Sequence, residues 1–141
     1  MRVNEGEVLQ PFSKMVTQDQ IEHYARVSGD FNPLHVDHEF AAASRFRGTI
    51  AHGMLVAASL SELMTASFQD NWLSGGKLKL RFRAPVYPGD VLTVSGQIKG
   101  VVPDGATHRV VCALEVTRPT GEIAITADAT LSVLGEGGTR L

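Results

Sequence analysis

The sequence predicts an α+β domain in which a curved antiparallel sheet wraps one long, buried helix. Two features carry that prediction. The stretch "GMLVAASLSELM", residues 53–64, consists of good helix formers and is apolar on almost every side, with only Ser59, Ser61 and Glu62 interrupting it. A helix of this kind has to be enclosed by protein when it is too short to cross a membrane. The second half of the chain alternates apolar and polar residues with period two between clusters of turn formers, as strands with one buried face do.

Each element follows in order. Thr17 with Gln20 three residues later is a capping box, and Ile21, Tyr24, Ala25 and Ser28 then share one helical face. Gly29 ends that helix. Asn32-Pro33 opposes its continuation, because the proline ring pushes the preceding residue toward extended geometry, so a loop is expected here. A short helix starts at Asp37 or His38 and runs through Ala43, and "SRFRGT", 44–49, reads as a basic connection. Beyond the apolar helix, Leu78, Leu80 and Phe82 alternate with Lys79, Arg81 and Arg83 until Pro85, Pro88, Gly89 and Asp90 break the run. Leu92, Val94 and Ile98 share a face of the next strand, "PDG" at 103–105 turns the chain, and Val110, Cys112, Leu114 and Val116 line the strand after it. "RPTGE", 118–122, leads into a last strand with Ile123, Ile125, Ala127, Ala129, Leu131 and Val133 in step. The glycine-rich stretch Gly135–Gly138 is expected to be a frayed tail. Short connections make neighbouring strands antiparallel, since parallel pairing needs crossovers of about a dozen residues or more. One such sheet leaves edges and a flank uncovered, so the chain is expected to pair as a homodimer.

The 141 residues, 1–141, are expected to form a single domain around one core. With 13 basic against 15 acidic side chains and a formal charge of −2, the chain has no broad positive field to hold a nucleic acid backbone. Cys112 is the only cysteine, which rules out an intrachain disulfide and a cysteine-rich zinc site. Met1–Leu9 contains Arg2, Asn4, Glu5 and Glu7 in place of the apolar stretch of a signal peptide, and the longest nearly apolar run, Met54–Leu60, is too short to span a bilayer. A cytoplasmic protein without membrane partners is the expectation.

The chemistry concentrates in "SGDFNPLHVDHEFA", residues 28–41. Asp30 and His35 flank Pro33, which stiffens the segment and leaves the two ionisable groups less freedom to lose on converging. Together they are equipped to grip one water: a neutral imidazole accepts its proton, and a carboxyl kept protonated in an apolar cleft donates one. Turn formation on the surface is the competing role for the same pair. His35, Asp37, His38, Glu39 and His52 are all potential metal ligands, but neighbours in "HVDHE" do not readily share an ion and no established zinc spacing is present, so no metal is expected. His23 and His38 are expected as solvated helix residues. Gly53 opens the buried helix, where its N–H lacks an intrahelical acceptor and stands at the positive end of the helix dipole, ready for a carbonyl oxygen on which charge develops. Ser59 lies two turns further on. Its hydroxyl is expected either to bond an upstream carbonyl or to meet a ligand in a cleft along the helix. "HGMLVAASLSE" has no G-x-S-x-G elbow, which speaks against a serine hydrolase.

"YARVSGDFNPLHVDHEFA", 24–41, resembles the signature of the MaoC-like, R-specific enoyl-CoA hydratases, and "IAHGML", 50–55, and "LRFRAPVYPGD", 80–90, are similar to that family's helix entrance and following strand. The resemblance implies a hot-dog fold, a place in fatty acid metabolism, and reversible syn hydration of a trans-2-enoyl thioester to an R-3-hydroxyacyl thioester. It implies no cofactor beyond the CoA of the substrate. By the same resemblance Asp30 and His35 are the catalytic dyad and Asn32 orients it. The Gly53 amide holds the thioester oxygen, and Ser59 contributes to substrate binding. Arg45, Arg47, Lys77 and Lys79 flank the expected cleft in sequence and are candidates for the CoA phosphates. Hot-dog relatives offer three alternatives: an acyl-CoA thioesterase, an acyl-carrier-protein dehydratase and a noncatalytic acyl-CoA-binding subunit.

Overall fold

The computed structural model describes residues 1–135. Five strands, β1 (Phe12–Met15), β2 (Lys77–Phe82), β3 (Val91–Asp104), β4 (Thr107–Thr117) and β5 (Ile123–Leu134), form one sheet in the order β1-β3-β4-β5-β2 with every neighbour antiparallel. Five helices accompany it: α1 (Gln18–Ser28), α2 (Pro33–Val36), α3 (His38–Ala42), α4 (Gly53–Phe68) and α5 (Asp70–Leu73). This is the α+β, hot-dog arrangement. The core is the contact between α4 and one face of the sheet: Val56, Leu60, Leu63 and Met64 from the helix meet Val94, Ile98, Val110, Val116, Ala129 and Val133. Along each strand those residues are separated by even numbers of positions, because successive side chains point to opposite faces. Cys112 is buried among them, and burial pushes its thiol up to about 11, which keeps it protonated and unreactive.

Local signals decide the helix ends. Thr17 caps α1, with its hydroxyl accepting from the Gln20 N–H while the Gln20 side chain accepts from the Thr17 N–H, and Gly29 closes the helix at φ +79°. The region expected as loop contains a further turn of helix. Proline stops α1 but suits the first position of a new helix, where its missing N–H is not needed, and the Asn32 side chain caps α2 by accepting from the Leu34 N–H. Asp37 then ends α2 and caps α3.

Two other expectations are corrected, and the two ends of the described chain are defined. The N-terminal segment supplies β1 and a single bridge at Val8, too short and too polar to be legible as a strand. The turn read at 103–105 falls one residue later: Pro103 is still paired with His108, and Gly105 at φ +63° makes the bend. The helix α4 is not enclosed on all sides, because Met54, Ala58, Glu62 and Ala66, four residues apart, form an exposed stripe on the single chain. Of the expected glycine-rich tail, Gly135 donates its N–H to the Ala106 carbonyl, and 136–138 lie outside the described residues.

Candidate active site

The site forms where the α1–α2 turn meets the entrance of α4. His35 sits on α2, half-buried, with its Nδ1 2.8 Å from the Ile50 carbonyl oxygen. A carbonyl oxygen only accepts, so Nδ1 carries the hydrogen and the neutral ring keeps its free lone pair on Nε2. The backbone beneath is braced: the Gln18 amide donates to the His35 carbonyl at 2.9 Å, and Thr49 donates to the Gln18 side-chain oxygen at 2.8 Å. Asp30 lies just beyond Gly29, exposed on the single chain, and its carboxylate accepts the Asn32 N–H at 3.2 Å. Asn32 therefore acts on both partners, through its own N–H to Asp30 and through the cap of the helix that carries His35. Its side chain is spent on that cap.

A ligating atom of Asp30, one of His35 and one of His52 all lie within 4.8 Å of one another. A water bonded to two of them by hydrogen bonds of about 2.8 Å at a tetrahedral angle spans about 4.6 Å, so the spacing suits one shared water. It does not suit one metal ion. The His35 and His52 rings are stacked, 3.8 Å apart and 28° from parallel, and an ion at the usual bond length of about 2.1 Å has to lie in the plane of each ring that binds it.

These groups open onto a cavity of about 540 Å³ lined by Gly53, Met54, Val56, Phe82, Val86 and Ile125 beside them. Gly53 is the first residue of α4 and lines this space, and at that position its N–H has no intrahelical acceptor. A methyl group at Gly53 would come within 2.7 Å of the Phe82 ring, so glycine allows the aromatic wall and the amide to share the cavity. A carboxyl, an imidazole with a free nitrogen and an unengaged amide thus face one apolar space, the equipment for moving protons beside a polarised carbonyl.

Residues 3–119 match the protein family described as MaoC like domain. The chain belongs to that family. This MaoC-like chain is 31% identical over 127 residues to the (R)-specific enoyl-CoA hydratase of Rhodospirillum rubrum, a match covering 89% of this chain and 85% of the relative. It is 29% identical over 121 residues to the (R)-specific enoyl-CoA hydratase of Aeromonas caviae, covering 86% and 89%. Among solved structures, the (R)-hydratase from A. caviae involved in PHA biosynthesis superposes with a TM-score of 0.79 at 28% identity, over 92% of this chain and 96% of that one. An unliganded R-hydratase from Pseudomonas aeruginosa gives 0.78 at 27% identity, over 99% and 92%.

The remaining candidates divide within the MaoC-like domain. Arg45 lines the cavity and lies over the Phe46 ring at 4.7 Å. Arg47 adopts a left-handed backbone, φ +61°, and is not among the lining residues. Lys77 and Lys79 alternate with the inward-facing Leu78 and Leu80, which puts them on the outer face of the sheet, away from the cavity. Arg83 borders the cavity where β2 ends at Phe82, but its Nε donates to the Thr126 hydroxyl at 3.2 Å and it lines the outer face of the sheet with Lys79 and Arg81, the face to which period two along β2 assigned it. Ser59 is buried, donates to the Val56 carbonyl at 2.6 Å, and lines a second cavity, between α1 and α4, that shares Tyr24 and Val56 with the first. The residue that sequence reasoning undervalued is His52. It is 2% exposed, its Nε2 is 3.0 Å from the Asp30 carbonyl oxygen, and its Nδ1 has no partner among the described residues. A buried nitrogen left in that state costs about 1–3 kcal/mol. The only available signal was its place directly before the helix-opening glycine.

Proposed function

We propose that this protein is an R-specific enoyl-CoA hydratase, a single-domain cytoplasmic hydro-lyase that adds water reversibly to trans-2-enoyl-CoA and works without a metal or added cofactor. The observation that carries this reading is the convergence of Asp30 and His35, within the span of one water, on the cavity that receives the Gly53 amide. In hydration, the thioester oxygen accepts the Gly53 N–H, which draws electrons from the β-carbon and stabilises the enolate-like transition state. His35 Nε2 takes a proton from the water as its oxygen bonds to the β-carbon. Protonated Asp30 delivers its proton to the α-carbon. The proton left on His35 then returns to Asp30 and restores the starting state, and dehydration runs the same steps backwards. Both groups act from one side of the double bond, which makes the addition syn.

Arg45, at the same cavity, is the cation we assign to the CoA phosphates, in place of Arg47, Lys77 and Lys79. Ser59 is reached by an acyl chain that passes Tyr24 and Val56 into the second cavity. A homodimer is part of the proposal: β2 is an edge strand, and Phe82 and Met54, 54% and 60% exposed, stand beside that edge.

Purified protein incubated with short and medium trans-2-enoyl-CoAs tests the reading. Loss of the conjugated thioester absorbance with formation of the R-3-hydroxyacyl-CoA is the expected result. Release of free CoA, an S product, or turnover confined to carrier-protein thioesters would reject it.

A further inference from the structure

His52 has no place in the proton transfers above, yet its contacts all lead to the groups that make them. The Asp30 carbonyl can only accept, so the nitrogen 3.0 Å from it, Nε2, carries the hydrogen, and Nδ1 of a neutral ring is bare. That bond restrains the Asp30 main chain directly after the left-handed Gly29, on the carbonyl side of a residue whose N–H donates to the Ser28 hydroxyl at 3.2 Å. On the other side, the face of the His52 ring stacks on His35 at 3.8 Å, and Tyr24 packs against His52 at 4.7 Å. A single hydrogen bond from Nδ1 to Ile50 leaves the His35 ring able to rock about that bond. A ring packed on its face stops the motion and keeps water from that side.

We propose that His52 is the positioning residue of the dyad: a neutral imidazole that ties down the Asp30 main chain with Nε2–H and backs the His35 ring with its face. The inference rests on the hydratase reading for its kinetic consequence, but not for its geometry. An imidazole with an orphaned nitrogen is a poor structural choice for a site 2% exposed, whereas an apolar ring of similar shape buries no such nitrogen and gives up only the bond to the carbonyl of the exposed Asp30. Stability and turnover should therefore separate.

Two variants and one spectrum test this. His52→Phe retains a ring against His35 but cannot donate to Asp30. Its kcat is expected to fall at least about tenfold with KM within about threefold, while the melting temperature holds or rises. His52→Gln restores a donor near the position of Nε2 and is expected to recover part of the lost kcat. His52→Phe turnover within about twofold of the parent, or a joint fall of turnover and melting temperature without recovery in His52→Gln, overturns the proposal. The arm that needs no folded variant is the ¹⁵N-histidine spectrum of the unsubstituted protein. It should show His52 protonated on Nε2 with a bare Nδ1 and His35 protonated on Nδ1; the opposite tautomer or a charged ring at His52 at neutral pH overturns the assignment. Absence of enoyl-CoA hydration by the unsubstituted protein counts against the proposed function, and the spectrum decides the role of His52 separately.

Discussion

In the proposed mechanism Asp30 and His35 act as a unit, so removing either should disable the reaction without disturbing the fold. Asp30→Asn and His35→Gln are each expected to lower kcat by about 10²–10⁴-fold, the range for losing a positioned acid or base. Circular dichroism and subunit association should match the parent, since neither side chain is in the core. Full turnover in either folded variant removes that residue from the mechanism. This pair was legible in the sequence because proline and glycine constrain a short segment strongly enough for spacing to carry spatial meaning. Nothing comparable marked His52, whose contacts with Asp30 and His35 span 22 and 17 positions of the chain.

The single turn α2 carries His35, and a helix this short depends on its cap more than on its own hydrogen bonds. Asn32→Ala removes the acceptor for the Leu34 N–H, at a cost near the low end of about 0.5–2 kcal/mol. The expected signature is a small drop in melting temperature with a disproportionate loss of kcat, because the catalytic imidazole rides on the turn that loosens. Asn32→Ser, which keeps a capping oxygen, should recover much of both, and thermal melts run beside steady-state kinetics will show it. Equal stability and turnover in Asn32→Ala would mean that α2 holds its place without the cap. The sequence announced α1 by its caps and α4 by its apolar residues. It concealed α2 because a proline that terminates one helix is equally fit to begin the next.

Assembly is where the single chain leaves most exposed. The outer edge of β2, Phe82, Met54 and the stripe on α4 all face outward, and the cavity opens beside them. Light scattering is expected to report twice the chain mass for the parent, and Phe82→Asp should shift it toward the monomer by placing a charge in that interface. A parent that is monomeric at micromolar concentration removes the homodimer from the proposal. Away from this edge, Arg118 joins Asp90 at 2.8 Å and Glu122 at 2.8 Å and lies over the Tyr87 ring, whose hydroxyl donates to the Phe46 carbonyl. That chain of contacts ties the β4–β5 turn to the segment that brings Arg45 to the cavity. The hydrogen bonds that Arg118 donates to Asp90 and then to Glu122 hold its pKa above the ordinary value.

From its residues alone this chain specified the buried helix, the alternating strands, the caps of α1, and the carboxyl and imidazole proposed for the reaction, because each depends on neighbours a few positions away. Tertiary packing decided the rest. It chose which arginines reach the cavity, moved Lys77 and Lys79 to the far side of the sheet, gave Ser59 to a second space, and drew His52 under the dyad. Those outcomes depend on how a strand ends and how a helix entrance meets a turn, contacts between distant segments to which periodicity is blind.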